Sequence, residues 1–203
     1  MIKISLTDFL DFIIASGSAK QTLVARLKKR EEYAYAKDYW RELRNTITDF
    51  HADPALTKAY FDAAIETNFI DAGKKEKARL LLENYKKFLG RKTVETMPLV
   101  KCDWRYNKHL TIRVNPELHV TINGVPQIIK FYFKSKPTLT KAKIDMALVL
   151  MKIATDDIIT NVHYSILDLP QQKIWTQENP NMKLMPLLKG EAESYITIYQ
   201  SLP

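Results

Sequence analysis

Between Leu110 and Phe133 the chain alternates. Leu110, Ile112 and Val114 are separated by Thr111 and Arg113. Leu118, Val120 and Ile122 are separated by His119 and Thr121, and Ile129, Phe131 and Phe133 by Lys130 and Tyr132. A period of two sends successive side chains to opposite faces of a strand. The pattern therefore predicts strands near 109–114, 117–123 and 126–134, each with one apolar and one polar face. Leu99 to Trp104 is a candidate edge strand. Pro137-Thr138 then opens a helix near 139–154, whose second half, Met146 to Ile153, is apolar on nearly every side, as a buried helix is. Val162 to Leu169 reads as a strand, Lys173 to Thr176 as its short partner, and Met185 to Gln200 as a closing helix.

The first ninety residues follow a helical period instead. Ser5-Leu6-Thr7-Asp8 has the form of a capping box and opens a short helix through Phe9, Phe12 and Ile13. Gly17-Ser18 breaks it, and Ser18 with Gln21 starts a second helix to about Arg30. A third is expected from Glu32 to His51, with Tyr35, Tyr39, Leu43, Ile47 and Phe50 on one face. Asp53 and Pro54 read as the cap and first turn of a fourth. Lys74 to Leu89 is a fifth, stopped by Gly90. The fold class is thus α/β: a helical layer over residues 1–92, then a mixed-sheet core over 93–203 in the order β-β-β-α-β-β-α, packed as one compact unit. A long helix between two strands implies a crossover connection.

Asn123-Gly124 is a strong two-residue hairpin signal, because a type I′ turn needs positive φ at both central positions. With those two at the centre, Ile122 pairs with Val125, Leu118 with Ile129, and Glu117 stands opposite Lys130. Parity puts Glu117, His119, Thr121, Ile128 and Lys130 on one face.

Charge adds a possible partner. The 203 residues carry a net +8, and it is unevenly placed. Residues 73–92 hold eight basic residues against Glu76 and Glu83. Residues 99–143 hold nine against Asp103 and Glu117, whereas residues 144–203 have four lysines and seven acids. A basic middle of this kind suits DNA or RNA; the plainer alternative is a solvated basic surface. Within it, Lys134, Lys136, Lys141 and Lys143 cluster where the third strand meets the following helix and are the candidate nucleic-acid contacts. The aromatic group Tyr33, Tyr35, Tyr39 and Trp40, interleaved with Lys37 and Arg41, could stack bases or pack a core.

Other chemistry is sparsely represented. One cysteine, Cys102, excludes an intrachain disulfide and a thiolate cluster. Lys101 and Arg105 flank it and would lower its pKa if they faced it. The four histidines lack zinc-site spacing. Five glycines and no phosphate-cradling loop argue against nucleotide-binding folds. No apolar run approaches the ~20 residues of a membrane helix, and Met1 to Ser16 lacks the basic start of a secretory signal. A cytoplasmic location, without membrane association, is the expectation.

Asn115-Pro116-Glu117, the Asn123-Gly124 turn and Ile128-Ile129-Lys130 together resemble the core of the restriction-endonuclease-like nucleases, whose signature is an acid, a hairpin, then acid-x-Lys. The resemblance covers about residues 93–170. The same stretch is similar to a set of uncharacterised bacterial proteins with an Asn-Pro-Glu…Ile-Lys-x-Tyr-Phe-Lys run. By position Glu117 matches the first acid and Lys130 the lysine, which makes these two the candidate catalytic residues. Ile128 stands where the second metal-binding acid belongs. The resemblance therefore implies a degenerate member that binds nucleic acid and holds no cofactor. One alternative is an active magnesium-dependent nuclease with a relocated acid, from Glu76, Glu83 or Asp103. The other is a protein-interaction module whose Glu117–Lys130 pair is an ordinary cross-strand contact on a wet sheet face.

Overall fold

The computed structural model describes residues 1–30 and 39–203. It is a mixed α/β fold with two sheets. Strand β1 (Ile2–Ser5) leads into α1 (Leu6–Ile14) and α2 (Ser18–Lys28). Helices α3 (Arg41–Ala52), α4 (Ala59–Asn68) and α5 (Ala72–Leu89) follow. Five strands come next: β2 (Val94–Thr96), β3 (Cys102–Tyr106), β4 (Leu110–Val114), β5 (Leu118–Ile122) and β6 (Val125–Tyr132). Helix α6 (Lys141–Thr155), strands β7 (His163–Asp168) and β8 (Lys173–Gln177), and helix α7 (Met185–Ser201) complete the chain.

Local chemistry sets several of these boundaries. Ser5 and Asp8 form the expected reciprocal cap: the Asp8 N–H donates to Ser5 Oγ at 3.1 Å, and the Ser5 N–H to Asp8 Oδ2 at 3.3 Å. Asp71 caps α5 by accepting from the Lys74 N–H at 2.7 Å, and Gly90 ends that helix at φ 49°. Asp53 behaves differently from expectation. Its carboxylate accepts from the Ala55 N–H at 2.9 Å, closing an Asx turn around Pro54, and α4 begins only at Ala59. Most of the first half of the expected third helix, including Tyr33, Tyr35 and Lys37, lies outside the described residues.

The sheets divide the chain in a way the alternation does not reveal. Strands β2, β5, β6, β7 and β8 form a five-stranded sheet in that order. Within it β5 and β6 pair antiparallel with Leu118 opposite Ile129 and Ile122 opposite Val125, the register set by Asn123 (φ 50°) and Gly124 (φ 80°). β6 and β7 run parallel, joined through α6. β4 does not belong to this sheet. It sits between β1, parallel to it, and β3, antiparallel to it, in a separate three-stranded sheet.

Two hydrophobic cores result. Helices α3, α4 and α5 cover one face of the larger sheet through Leu43, Ile47, Phe61, Leu82 and Tyr85, packed on Val120, Ile129, Phe131 and Leu167. The other face contributes Ile128, Tyr132, Tyr164 and Ile166 to a second core shared with α1, α6, α7 and the inner side of the small sheet. The N-terminal helices thus split between the cores, α1 and α2 on one and α3 to α5 on the other. The face expected to be polar and wet is therefore largely covered: Glu117, His119 and Lys130 are buried on it, and Thr121 is half-buried.

Candidate functional site

Glu117 immediately precedes β5, and Lys130 is on β6, directly across the hairpin. Lys130 Nζ donates to Glu117 Oε1 at 2.6 Å and to the Asn115 carbonyl at 3.3 Å. The residues are 8% and 3% exposed, so this is a buried ion pair rather than a surface one. The second carboxylate oxygen, Oε2, accepts the Phe131 backbone N–H at 2.7 Å. Pairing of β5 with β6 stops there: the Glu117 N–H donates to the Ile129 carbonyl at 2.9 Å, and Pro116 has no N–H to continue. The Glu117 carboxylate takes the place of the missing strand partner for Phe131. A buried N–H left without an acceptor would cost on the order of 1–3 kcal/mol, which gives the carboxylate a structural duty beyond charge.

The surroundings bear on metal binding. Ile128 is fully buried on the same face as Lys130, in the core with Tyr132, Tyr164 and Ile166. A hard divalent cation takes several oxygen ligands. Here one carboxylate is present with both oxygens committed, and the neighbouring position is a hydrocarbon. Of the expected replacement acids, Glu83 pairs with Lys86 at 2.7 Å and Asp103 with Arg113 at 3.7 Å, while Glu76 is exposed on α5. Among the described residues no three His, Cys, Asp or Glu side chains converge as a metal-binding group. The residues at this place do not fit a magnesium site. Restoring an acid by Ile128→Glu would instead insert an unpaired carboxylate into a packed core, which disfavours the fold by several kcal/mol.

A small cavity of about 30 Å³ borders Glu117, lined also by Thr7, Trp40, Arg44, Phe133 and Lys134. It holds a water-sized guest and not a nucleotide. Trp40 stacks on Phe133 at 5.4 Å, and Tyr39 meets Trp40 edge-on at 4.6 Å. Lys74 and Lys77 lie 5.3 and 5.5 Å from the Tyr39 ring. Of the described part of the basic-aromatic group, Trp40 is half-buried against Phe133, while Tyr39 stays exposed beside the two lysines.

His119 is buried at 5% exposure, not half-exposed as its strand position implies. Its Nδ1 lies 2.6 Å from the Pro98 carbonyl, so Nδ1 carries the proton, and its buried Nε2 has no partner. Cys102 faces inward and its neighbours Lys101 and Arg105 face the other side of the strand. Burial, aided by the Asp103 charge, pushes its thiol up to about 11, the reverse of an activated cysteine.

The four candidate nucleic-acid contacts are mostly engaged. Lys134 pairs with Asp11 of α1, Lys141 with Asp145 at 2.6 Å, and Lys143 with Glu191 of α7 at 3.9 Å. Lys136 is exposed. The pairing of Lys134 and Lys143 with acids from α1 and α7 is a consequence of tertiary structure that no sequence window shows, whereas Lys141–Asp145 is a local i,i+4 pair along α6. Sequence reasoning also missed the acids on that side. Burial pushes the Asp11 carboxyl up, against the opposing pull of Lys134, and burial likewise pushes Asp168 up. Asp168 pairs with Tyr132 across β6 and β7. Burial and these two acids hold the Tyr132 phenol above its ordinary range, and its hydroxyl donates to the Pro137 carbonyl at 3.1 Å. The only sequence hint was an acid, Asp11, at a helical position shared with core residues.

No family model matches the chain, and no curated protein matches it. Among solved structures it is similar to the crystal structure of SSO0001, at TM-score 0.36 and 12% identity over 94% of this chain and 86% of that one. A superposition that weak carries nothing about fold family or function. Among the described residues no helix is long and apolar enough to cross a membrane.

Proposed function

We propose that this chain is a nucleic-acid-binding protein with a restriction-endonuclease-like core that has lost metal-dependent cleavage. One observation carries the reading. Glu117 and Lys130 meet across the hairpin as an acid and lysine of that superfamily would, yet the carboxylate is spent on Lys130 and the Phe131 N–H. The β5–β6 hairpin and the parallel β6–α6–β7 connection also support the resemblance, whereas β4, in the smaller sheet, does not.

The chemistry follows from the donor set. Cleaving a phosphodiester at neutral pH needs a cation to offset phosphate charge and acidify water. With Ile128 in the second acid's position, this hairpin supplies a structural clamp instead. Binding would then rest on basic surface and not on the site. The experiment is digestion of duplex and single-stranded DNA and RNA with magnesium or manganese, beside Glu117→Ala and Lys130→Ala. No cleavage above background is expected. Robust cleavage by the wild type, lost in both variants that remain folded, would overturn the reading in favour of an active nuclease.

A further inference from the structure

We infer that the outer face of the small sheet, β1-β4-β3, is a docking surface for the phosphate backbone of nucleic acid. The inference rests on the nucleic-acid reading above and names the surface that would serve it. Cross-strand register puts Lys3, Thr111 and Arg105 in one row and Ser5, Arg113 and Asp103 in the next. Lys101 precedes β3 on the same side, and Lys108 is exposed in the turn between β3 and β4. Among the described residues, five cations stand on this face against one acid. Asp103 reaches only Arg113, at 3.7 Å, with both side chains well exposed, a contact worth little.

What singles this face out is the grouping of its cations on one side of one sheet. On α5, Lys74 pairs with Glu42, Lys75 and Arg79 with Glu66, and Lys86 with Asp62 and Glu83, while Lys77, Lys87, Arg91 and Lys92 have no acid partner among the described residues but are strung along the helix and the turn after it. Around α6, Lys134, Lys141 and Lys143 have the acids already named. Lys130 is buried with Glu117. Among the described residues, Lys3, Lys101, Arg105 and Lys108 have no acid partner. The positive charge that the sequence spreads over residues 99–143 is therefore concentrated, in the fold, on this sheet.

Shape and composition select the occupant. Three strands about 4.8 Å apart make a track roughly 10 Å wide, and five residues extend it about 17 Å. That length matches about five phosphates at ~3.4 Å spacing. Arg105 and Arg113 are diagonal neighbours, and guanidinium groups bind phosphate bidentately. Apart from Met1, which lies against Thr111, the face carries no apolar side chain to enter a bilayer. Trp104 and Tyr106 turn inward toward the core and offer no stacking platform. Contact is then to the backbone, insensitive to sequence and tolerant of duplex.

The test is fluorescence anisotropy of a labelled mixed-sequence duplex across a salt series. Wild type is compared with Lys101→Gln/Arg105→Gln/Lys108→Gln/Arg113→Gln and with Lys189→Gln, an exposed lysine of α7, as a control, after unchanged thermal melting shows that both variants fold. The quadruple variant should lose more than tenfold in affinity at low salt and flatten the log–log slope by about three to four, near one per phosphate contact. Lys189→Gln should leave the slope unchanged within about half a unit. Wild-type binding with an unchanged slope in the quadruple variant overturns this surface while leaving the nucleic-acid reading standing. Absence of wild-type binding overturns both. Binding of wild type to anionic phosphatidylserine vesicles but not to the duplex assigns the face to a membrane and overturns the proposal as well.

Discussion

Glu117 Oε1 and Lys130 Nζ, thirteen residues apart in sequence, lie 2.6 Å apart with almost no solvent contact. The other Glu117 oxygen is bound to the Phe131 N–H. The pair therefore ties together charge compensation and the end of a strand ladder. Breaking one half leaves either a buried ammonium or a buried carboxylate. Losing one partner of a buried pair typically costs about 3–5 kcal/mol.

The first prediction follows from that coupling. Lys130→Met should destabilise by about 3 kcal/mol, because Glu117 keeps its N–H but loses its counter-charge. Glu117→Gln should also destabilise, leaving the Lys130 ammonium without its counter-charge. The double variant should cost clearly less than the sum, with a coupling of about 1–3 kcal/mol. Urea unfolding of all four proteins measures it. Additive effects would show that the two side chains do not act as a pair.

The Lys134–Asp11 contact gives a prediction with a sign. Burial raises the Asp11 carboxyl above its unfolded value, so the native state binds the extra proton more readily there. The stability contributed by that proton is full below the unfolded pKa, near 4, and is lost as pH rises through the raised native value. Removing the Lys134 charge raises it further. Lys134→Gln should therefore be nearly neutral at pH 4 and increasingly destabilising toward pH 7. Urea midpoints taken across that range check it, and a penalty that shrinks with rising pH would be inconsistent with the pairing.

His51 shows the opposite sign. Burial beside Tyr85, with which its Nε2 shares a hydrogen bond, lowers its pKa to about 4 from 6.5. Between those values the unfolded chain binds a proton that the native state refuses, so stability rises with pH from about 4 to about 6.5 and is lost as pH falls. The ring is part-exposed, so solvent screening reduces the size of the effect. His51→Gln should flatten the stability profile over pH 4–6.5. A profile with the same slope in wild type and variant would assign the effect to another group.

Local chemistry was legible in the sequence; sheet membership was not. Asn123-Gly124 dictated its turn because the two residues alone determine the backbone angles, and the turn then fixed Glu117 opposite Lys130. Ser5 and Asp8 likewise announced their cap three residues apart. Strand β1, in contrast, is four residues long and pairs with Leu110 to Arg113, over a hundred residues away. No local period reveals it, and without it the alternation groups β4 with β5 and β6. The alternation of His119 and Lys130 with apolar neighbours read as a wet face because polarity stood in for exposure. Their partners, Pro98 for His119 and Asn115 with Glu117 for Lys130, come from outside their own strands, where the alternation says nothing. For the same reason the sequence counted cations along residues 99–143 but could not see that Lys134 and Lys143 meet acids from α1 and α7.

The central claim is binding of nucleic acid through basic surface, and the salt dependence of that binding tests it most directly. Wild-type protein titrated against a labelled mixed-sequence duplex, from ~50 to ~200 mM salt, should bind at the low end and weaken steeply. The plot of log K against log salt should have a slope of about −3 to −4, the counterion release of about four phosphate contacts. No measurable binding at ~50 mM salt, where such contacts are strongest, or binding with a slope near zero, would contradict it.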